Sequence, residues 1–238
     1  MTFATIPWDF ALILAALGVL IPWRGTVRVG RLMKKEDLGS SGRLSLYGST
    51  IFFQWLIAGL VFWRALARGM NHAELGLSIA DPWRAAWATC GATLLLCAGQ
   101  TAGLRKMVQL PVEKRGALFR ITEKIMPRTW SEASLFAVLA CTAGLSEEFL
   151  YRGFIWALFA RFFSSASGAI FFASCISSLW FAVAHLYQGR RGIITTFVVS
   201  MIFSGLRIWS GTLLPSIVAH AAVDLLVGLY VPRLLRKA

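Results

Sequence analysis

Acidic and histidine side chains are scarce in this chain of 238 residues: 11 Asp and Glu stand against 24 Lys and Arg, and there are three histidines. Charged residues make up 15%, hydrophobic ones 57%, and the mean hydropathy is +0.66. That balance excludes a soluble globular domain and predicts an integral membrane protein. No Gly/Ser-rich linker, repeat or low-complexity tract interrupts the apolar stretches, so one helix bundle accounts for the whole molecule. Cys90, Cys97, Cys141 and Cys175 lie within apolar stretches and form no CxxC or other metal spacing, which excludes a disulfide framework. The first 23 residues lack a basic leader and an A-x-A cleavage site, and Asp9 stands where a signal peptide carries positive charge. An uncleaved first span is expected.

A membrane-spanning helix needs about 20 largely apolar residues. Residues 8–23, 46–63, 85–103, 167–187, 192–208 and 213–232 fit that length. A further apolar segment, 133–163, would run to about 45 Å as one helix. Gly144, followed by Ser146 and two glutamates, reads there as a helix break and a fresh N-cap, giving either a kinked helix or two short ones. The predicted fold class is all-α, a polytopic transmembrane bundle of about seven to eight spans. Residues 1–129 supply the N-terminal spans and an interfacial helix, and 130–238 supply the bundle that carries the chemistry.

The excess of positive charge, +13, falls between the apolar spans rather than on one face, so topology explains it and nucleic-acid binding is not expected. Arg24, Arg28, Arg31, Lys34, Lys35 and Arg43 follow the first span. Arg105, Lys106, Lys114, Arg115, Arg120, Lys124 and Arg128 follow the third. Positive-inside topology then places these loops, Arg190, Arg191 and the tail of Arg233, Arg236 and Lys237 in the cytoplasm, and the N-terminus outside a plasma (inner) membrane. Trp8, Trp23, Trp63, Trp83, Trp130 and Trp209 stand near span ends as headgroup anchors. Leu118, Ile121 and Ile125 recur at helical spacing among basic residues, which predicts a helix lying in the cytoplasmic interface.

Glu147, Glu148, Arg152, His185, His220 and Asp224 all fall inside apolar spans of the second half. A charge at the bilayer centre costs roughly 2.5 to 3.5 kcal/mol on insertion scales, so a cluster of them marks a function. In "EEFLYR", Glu148 and Arg152 are four apart and share a helix face, whereas Glu147 is rotated by about 100°. Arg152 therefore neutralises Glu148, and Glu147, without a partner on its own helix, is free to serve as a general base. Phe181 and His185 in "FAVAH" share a face, as do His220 and Asp224 in "HAAVD". Taken singly each has a bland explanation: a hydrogen-bonded core histidine, an interhelical clamp, a structural ion pair. Their joint occurrence favours chemistry. His72, beside Asn71 and Glu74 in a polar loop, reads as merely solvated.

The ordered set "EEFLYR" at 147–152, "FAVAH" at 181–185 and "HAAVD" at 220–224 resembles the CAAX-protease and bacteriocin-processing (CPBP or Abi) family of intramembrane endopeptidases. The family's pattern is E-E-x-x-x-R, F-x-x-x-H and H-x-x-x-N or H-x-x-x-D on successive membrane helices. The resemblance covers about residues 130–232. It implies a glutamate-dependent peptidase with Glu147 and His185 activating water and His220 with Asp224 holding the oxyanion. Glu148, Arg152 and Phe181 would be structural support. An ionised aspartate only accepts hydrogen bonds, so Asp224 would instead orient His220 and balance its positive charge.

Glu, His, His and Asp are also a zinc-ligand inventory. The chain has no H-E-x-x-H helix, and the resemblance implies metal-independent chemistry, so no cofactor is expected and catalytic zinc is the minority reading. The expected partners are the lipid bilayer and a membrane-associated peptide or protein substrate. Two rivals remain open at this point: a proton-coupled transporter using the same polar cluster, and a non-proteolytic membrane scaffold in which the motifs persist as packing.

Overall fold

The computed structural model describes residues 5–111, 114–164 and 166–235; Arg236 and Lys237 of the basic tail, and the side chains of Leu118 and Arg233, lie outside the described residues. The described residues form helices and no strands. We number the helices α1 (Trp8–Met33), α2 (Gly39–Ala67), α3 (Pro82–Val108), α4 (Ala117–Ile125), α5 (Trp130–Phe162), α6 (Ala169–Ala184), α7 (Leu186–Ser210) and α8 (Leu214–Leu235). Each of the seven apolar segments read from the sequence falls on one of them, and α4 occupies the position of the interfacial helix. By length and composition α1, α2, α5, α7 and α8 can cross a membrane. The apolar α6 has 16 residues, and α3 has 27 but a more polar composition. The protein is an integral membrane helix bundle. All six tryptophans named above are exposed, as headgroup anchors require, and the four cysteines are free.

The break expected at Gly144 and Ser146 does not occur. α5 is a regular α-helix from Trp130 through Glu148, passes through a π-helical stretch at Phe149–Ile155, and resumes as α-helix to Phe162. Gly144 serves another purpose. A Cβ placed on it would lie 2.9 Å from the Ile217 carbonyl oxygen and 3.0 Å from the Ala221 backbone nitrogen and Cβ. Glycine is there because α5 and α8 touch backbone to backbone at this crossing.

α6 stabilises both irregular stretches of helix through side-chain donors. The Ser177 hydroxyl donates to the Tyr151 carbonyl at 2.6 Å inside the π-helical part of α5. The Trp180 indole donates to the Leu14 carbonyl at 3.2 Å, next to a second π-helical stretch at Ala16–Leu20 in α1. Carbonyls loosened from the regular ladder thereby find partners.

The largest apolar core joins the two halves of the chain. Phe10, Leu14 and Leu17 of α1 and Val61 and Ala65 of α2 pack with Phe149, Leu150, Tyr151, Phe154 and Ile155 of α5 and Phe181 of α6. At the end of the bundle that carries residues 68–81, this loop is pinned down. Leu213 N donates to the Gly76 carbonyl at 2.8 Å, Arg207 donates to the Glu74 carbonyl, and Arg161 pairs with the Glu74 carboxylate at 2.6 Å. Burial works against ionised Glu74, yet Arg161 and the Asn71 N–H hold its carboxyl below the ordinary carboxylate range. At the opposite end α4 is tied in by Tyr47, whose hydroxyl donates to the Ile125 carbonyl at 2.5 Å. Lys124 adds hydrogen bonds to the carbonyls of Met33 and Lys35.

Candidate active site

Three helices bring the residues of the three motifs into one cluster, and a fourth adds to it. α5 contributes Glu147, Glu148 and Arg152; the C-terminal end of α6 contributes Phe181 and His185; α8 contributes His220 and Asp224. The fourth, α2, contributes Gln54, which sequence reasoning missed. Its Nε2 donates to Glu147 Oε1 at 2.9 Å. His72 is exposed, with its ring against Phe62.

The adjacent glutamates point to different neighbours, as their rotation about the helix requires. Glu148 is fully buried. Its Oε1 accepts from Arg152 Nη1 at 3.0 Å and from His220 Nδ1 at 2.8 Å. The guanidinium of Arg152 lies over the Phe181 ring at 4.1 Å and beside Phe203 of α7 at 5.4 Å, so aromatic faces supply part of what water would. Phe181 is the common surface of the site. It also packs against His185 with ring centroids 4.5 Å apart and edge-on to Tyr151 at 5.0 Å.

Glu147 faces the two imidazoles. Its Oε2 lies 3.9 Å from His185 Nε2 and 4.0 Å from His220 Nε2. The backbone settles which nitrogen of His185 carries a proton. Nδ1 lies 2.8 Å from the Phe181 carbonyl oxygen, which can only accept, so Nδ1 is the N–H and Nε2 of the neutral ring presents its lone pair toward Glu147. Likewise the carboxylate of Glu148 receives the Nδ1–H of His220 and leaves Nε2 facing Glu147 and Asp224. Asp224 Oδ2 stands 3.7 Å from that Nε2, beyond hydrogen-bond length. The hydrogen bond to His220 is therefore the one with Glu148 at Nδ1, and Asp224 faces the other ring nitrogen.

Gly144 sets these distances. It meets Ile217 and Ala221 one turn before Glu148 and immediately around His220, so the close crossing of α5 and α8 fixes the 2.8 Å bond between them. Exposure is graded through the cluster. Toward the 68–81 loop, Arg152, Phe154, Ile155, Leu75 and Leu213 are sealed from solvent. Toward α4, side-chain exposure is 21% at Glu147 and 39% at Asp224, and α8 is half-buried from His220 through Val227. The cluster opens toward the α4 end. Among the described residues no group of three or more His, Cys, Asp or Glu side chains has metal-holding geometry.

Residues 129–226 match the family model of type II CAAX prenyl endopeptidase Rce1-like proteins. This part of the chain is similar to that family. The family is the one the motifs resemble, and the match supports a membrane endopeptidase as the general type of activity. The Rce1-like region starts one residue before α5 and ends two residues past Asp224, so it contains all three motifs and leaves out Gln54. No curated protein and no solved structure matches the chain.

Proposed function

We propose that the protein is an intramembrane endopeptidase that hydrolyses a membrane-associated peptide or protein tail with water activated by Glu147 and His185. The observation that carries this reading is the convergence of Glu147 Oε2 with two imidazole Nε2 atoms at 3.9 and 4.0 Å. That spacing leaves room for one water molecule hydrogen-bonded to all three atoms. The water oxygen attacks the scissile carbonyl carbon and gives its proton to Glu147 or to the lone pair of His185 Nε2. Protonated His220 donates its Nε2–H to the oxyanion, while Glu148 keeps the ring in place. When the C–N bond breaks, the proton held by Glu147 or His185 passes to the leaving amine.

In this reading no metal ion or cofactor takes part, and residues 130–238 form the catalytic bundle that 1–129 supports. Basic residues gather at the α4 end, so that end faces the cytoplasm, with the N-terminus of the chain outside a plasma membrane. A substrate tail enters from the cytoplasmic boundary.

The test is to offer a library of membrane-anchored peptides to detergent-purified wild type, Glu147→Gln and His185→Ala, and to identify products by mass spectrometry. Cleavage by wild type alone is expected. Equal product from all three defeats the peptidase reading. A pH-gradient-driven flux into proteoliposomes without any cleaved peptide would favour a transporter.

A further inference from the structure

We infer that Gln54 is a positioning residue for Glu147, and that α2, outside the Rce1-like region, is thereby part of the working site; the inference rests on the peptidase reading above. Gln54 is the one strongly polar side chain in the run "IFFQWLIAGLVFW", residues 51–63. Its Nε2 donates to Glu147 Oε1, but its own Oε1 is buried and has no hydrogen-bond partner among the described residues. An unsatisfied buried polar atom costs about 1 to 3 kcal/mol. A sequence that needed only packing at this place would use Leu or Met. The amide is retained against that cost for the one bond it makes.

That bond decides the direction of the carboxylate. Without it the two oxygens of Glu147 are interchangeable by rotation of the terminal torsion, which is soft. With Oε1 tied to Gln54, Oε2 is the oxygen directed at His185 and His220. The amide itself is held at a fixed height. The next residue, Trp55, donates its indole N–H to Thr142 Oγ1 of α5 at 3.2 Å, and the buried Arg43–Glu132 pair fixes the same two helices nearer α4. Gln54 thus acts on the reaction through Glu147 and need not touch the substrate.

The experiment uses full-length protein in detergent with Gln54→Met, which keeps the shape and loses the donor, and Gln54→Asn, which keeps the amide and loses the reach. On a membrane-anchored peptide that wild type cleaves, kcat should fall about 10- to 100-fold, the scale of a misplaced catalytic group, with KM within about twofold. Independently of turnover, the carboxyl stretch of Glu147, assigned by its disappearance in Glu147→Gln, should move in infrared difference spectra of both variants. Folded variants with an unmoved band, or with an unmoved kcat, overturn the inference. If the band moves while wild type itself cleaves no peptide, the positioning role stands and the peptidase reading falls.

Discussion

Two fully buried glutamate–arginine pairs sit in this membrane bundle, and they differ in how completely they are satisfied. At the α4 end, Glu132 accepts two hydrogen bonds from Arg43, at 2.8 and 3.3 Å, and a third from the Arg128 backbone N–H at 2.7 Å. Neither side chain of this pair leaves a buried atom without a partner. In the middle of the bundle Glu148 accepts one bond from Arg152 and one from His220, and Glu148 Oε2, Arg152 Nε and Arg152 Nη2 have no partner among the described residues. A saturated pair is a clamp. An unsaturated pair shared with an imidazole, lying next to a second and partly exposed carboxylate, is held in place by aromatic faces and a helix crossing rather than by its own bonds.

Removing one carboxylate from each region should separate the two pairs most clearly. Glu132→Ala leaves the buried Arg43 with only Asp37 at 3.4 Å and should cost about 3 kcal/mol, the low end for a broken buried pair, read as loss of folded protein in a thermal or denaturant scan. Glu147→Gln should leave that scan close to wild type and reduce peptide cleavage by about 100- to 10,000-fold, the range of general acid–base catalysis. Were Glu147→Gln to unfold the protein as Glu132→Ala does, the two regions would be alike and the contrast would fail.

Gly144→Val is next in size. Its side chain would collide with the Ile217 carbonyl at the crossing of α5 and α8, and overpacking of this kind costs about 1 to 3 kcal/mol. Cleavage should fall further than that loss of stability explains, because the bond between Glu148 and His220 lies one turn away.

Asp224→Asn should change kcat by less than about threefold, since Glu148 orients His220 and asparagine can still donate to an oxyanion. Glu148→Gln, which weakens the bond to His220 Nδ1, should cost far more, and the reverse ranking in a cleavage assay would return the orienting role to Asp224. The smallest effect concerns the 68–81 loop. Glu74 is held below its ordinary pKa in the folded protein, so its bridge to Arg161 stabilises above the unfolded carboxylate value and the contribution disappears as pH falls through the folded one. The Tm gap between wild type and Arg161→Gln should therefore narrow on acidification.

Much of this was legible in the sequence, for a definite reason. Spacing of four places two residues on one face of the same helix, so Glu148 with Arg152, Phe181 with His185 and His220 with Asp224 could be paired from the sequence, and the apolar context showed that those polar residues were costly. What spacing does not encode is the depth at which separate helices cross. The bond from Glu148 to His220 joins residues 72 apart in sequence. The partner of Glu147 comes from α2, 93 residues earlier, and its one signal was an amide in an otherwise apolar run. Gly144 read as a break because glycine weakens helices, when the stronger demand was room for the backbone of α8. The π-helical stretch after Glu148 has no sequence signature of its own.

The chemistry proposed for the unsaturated cluster is peptide hydrolysis through Glu147 without a metal. Its most direct test is product formation from one membrane-anchored peptide by detergent-purified wild type and Glu147→Gln, each before and after exhaustive chelation. Wild type should cleave equally in both conditions, and Glu147→Gln almost not at all in either. Cleavage by Glu147→Gln at the wild-type rate, or wild-type activity lost on chelation and restored by zinc, would contradict it.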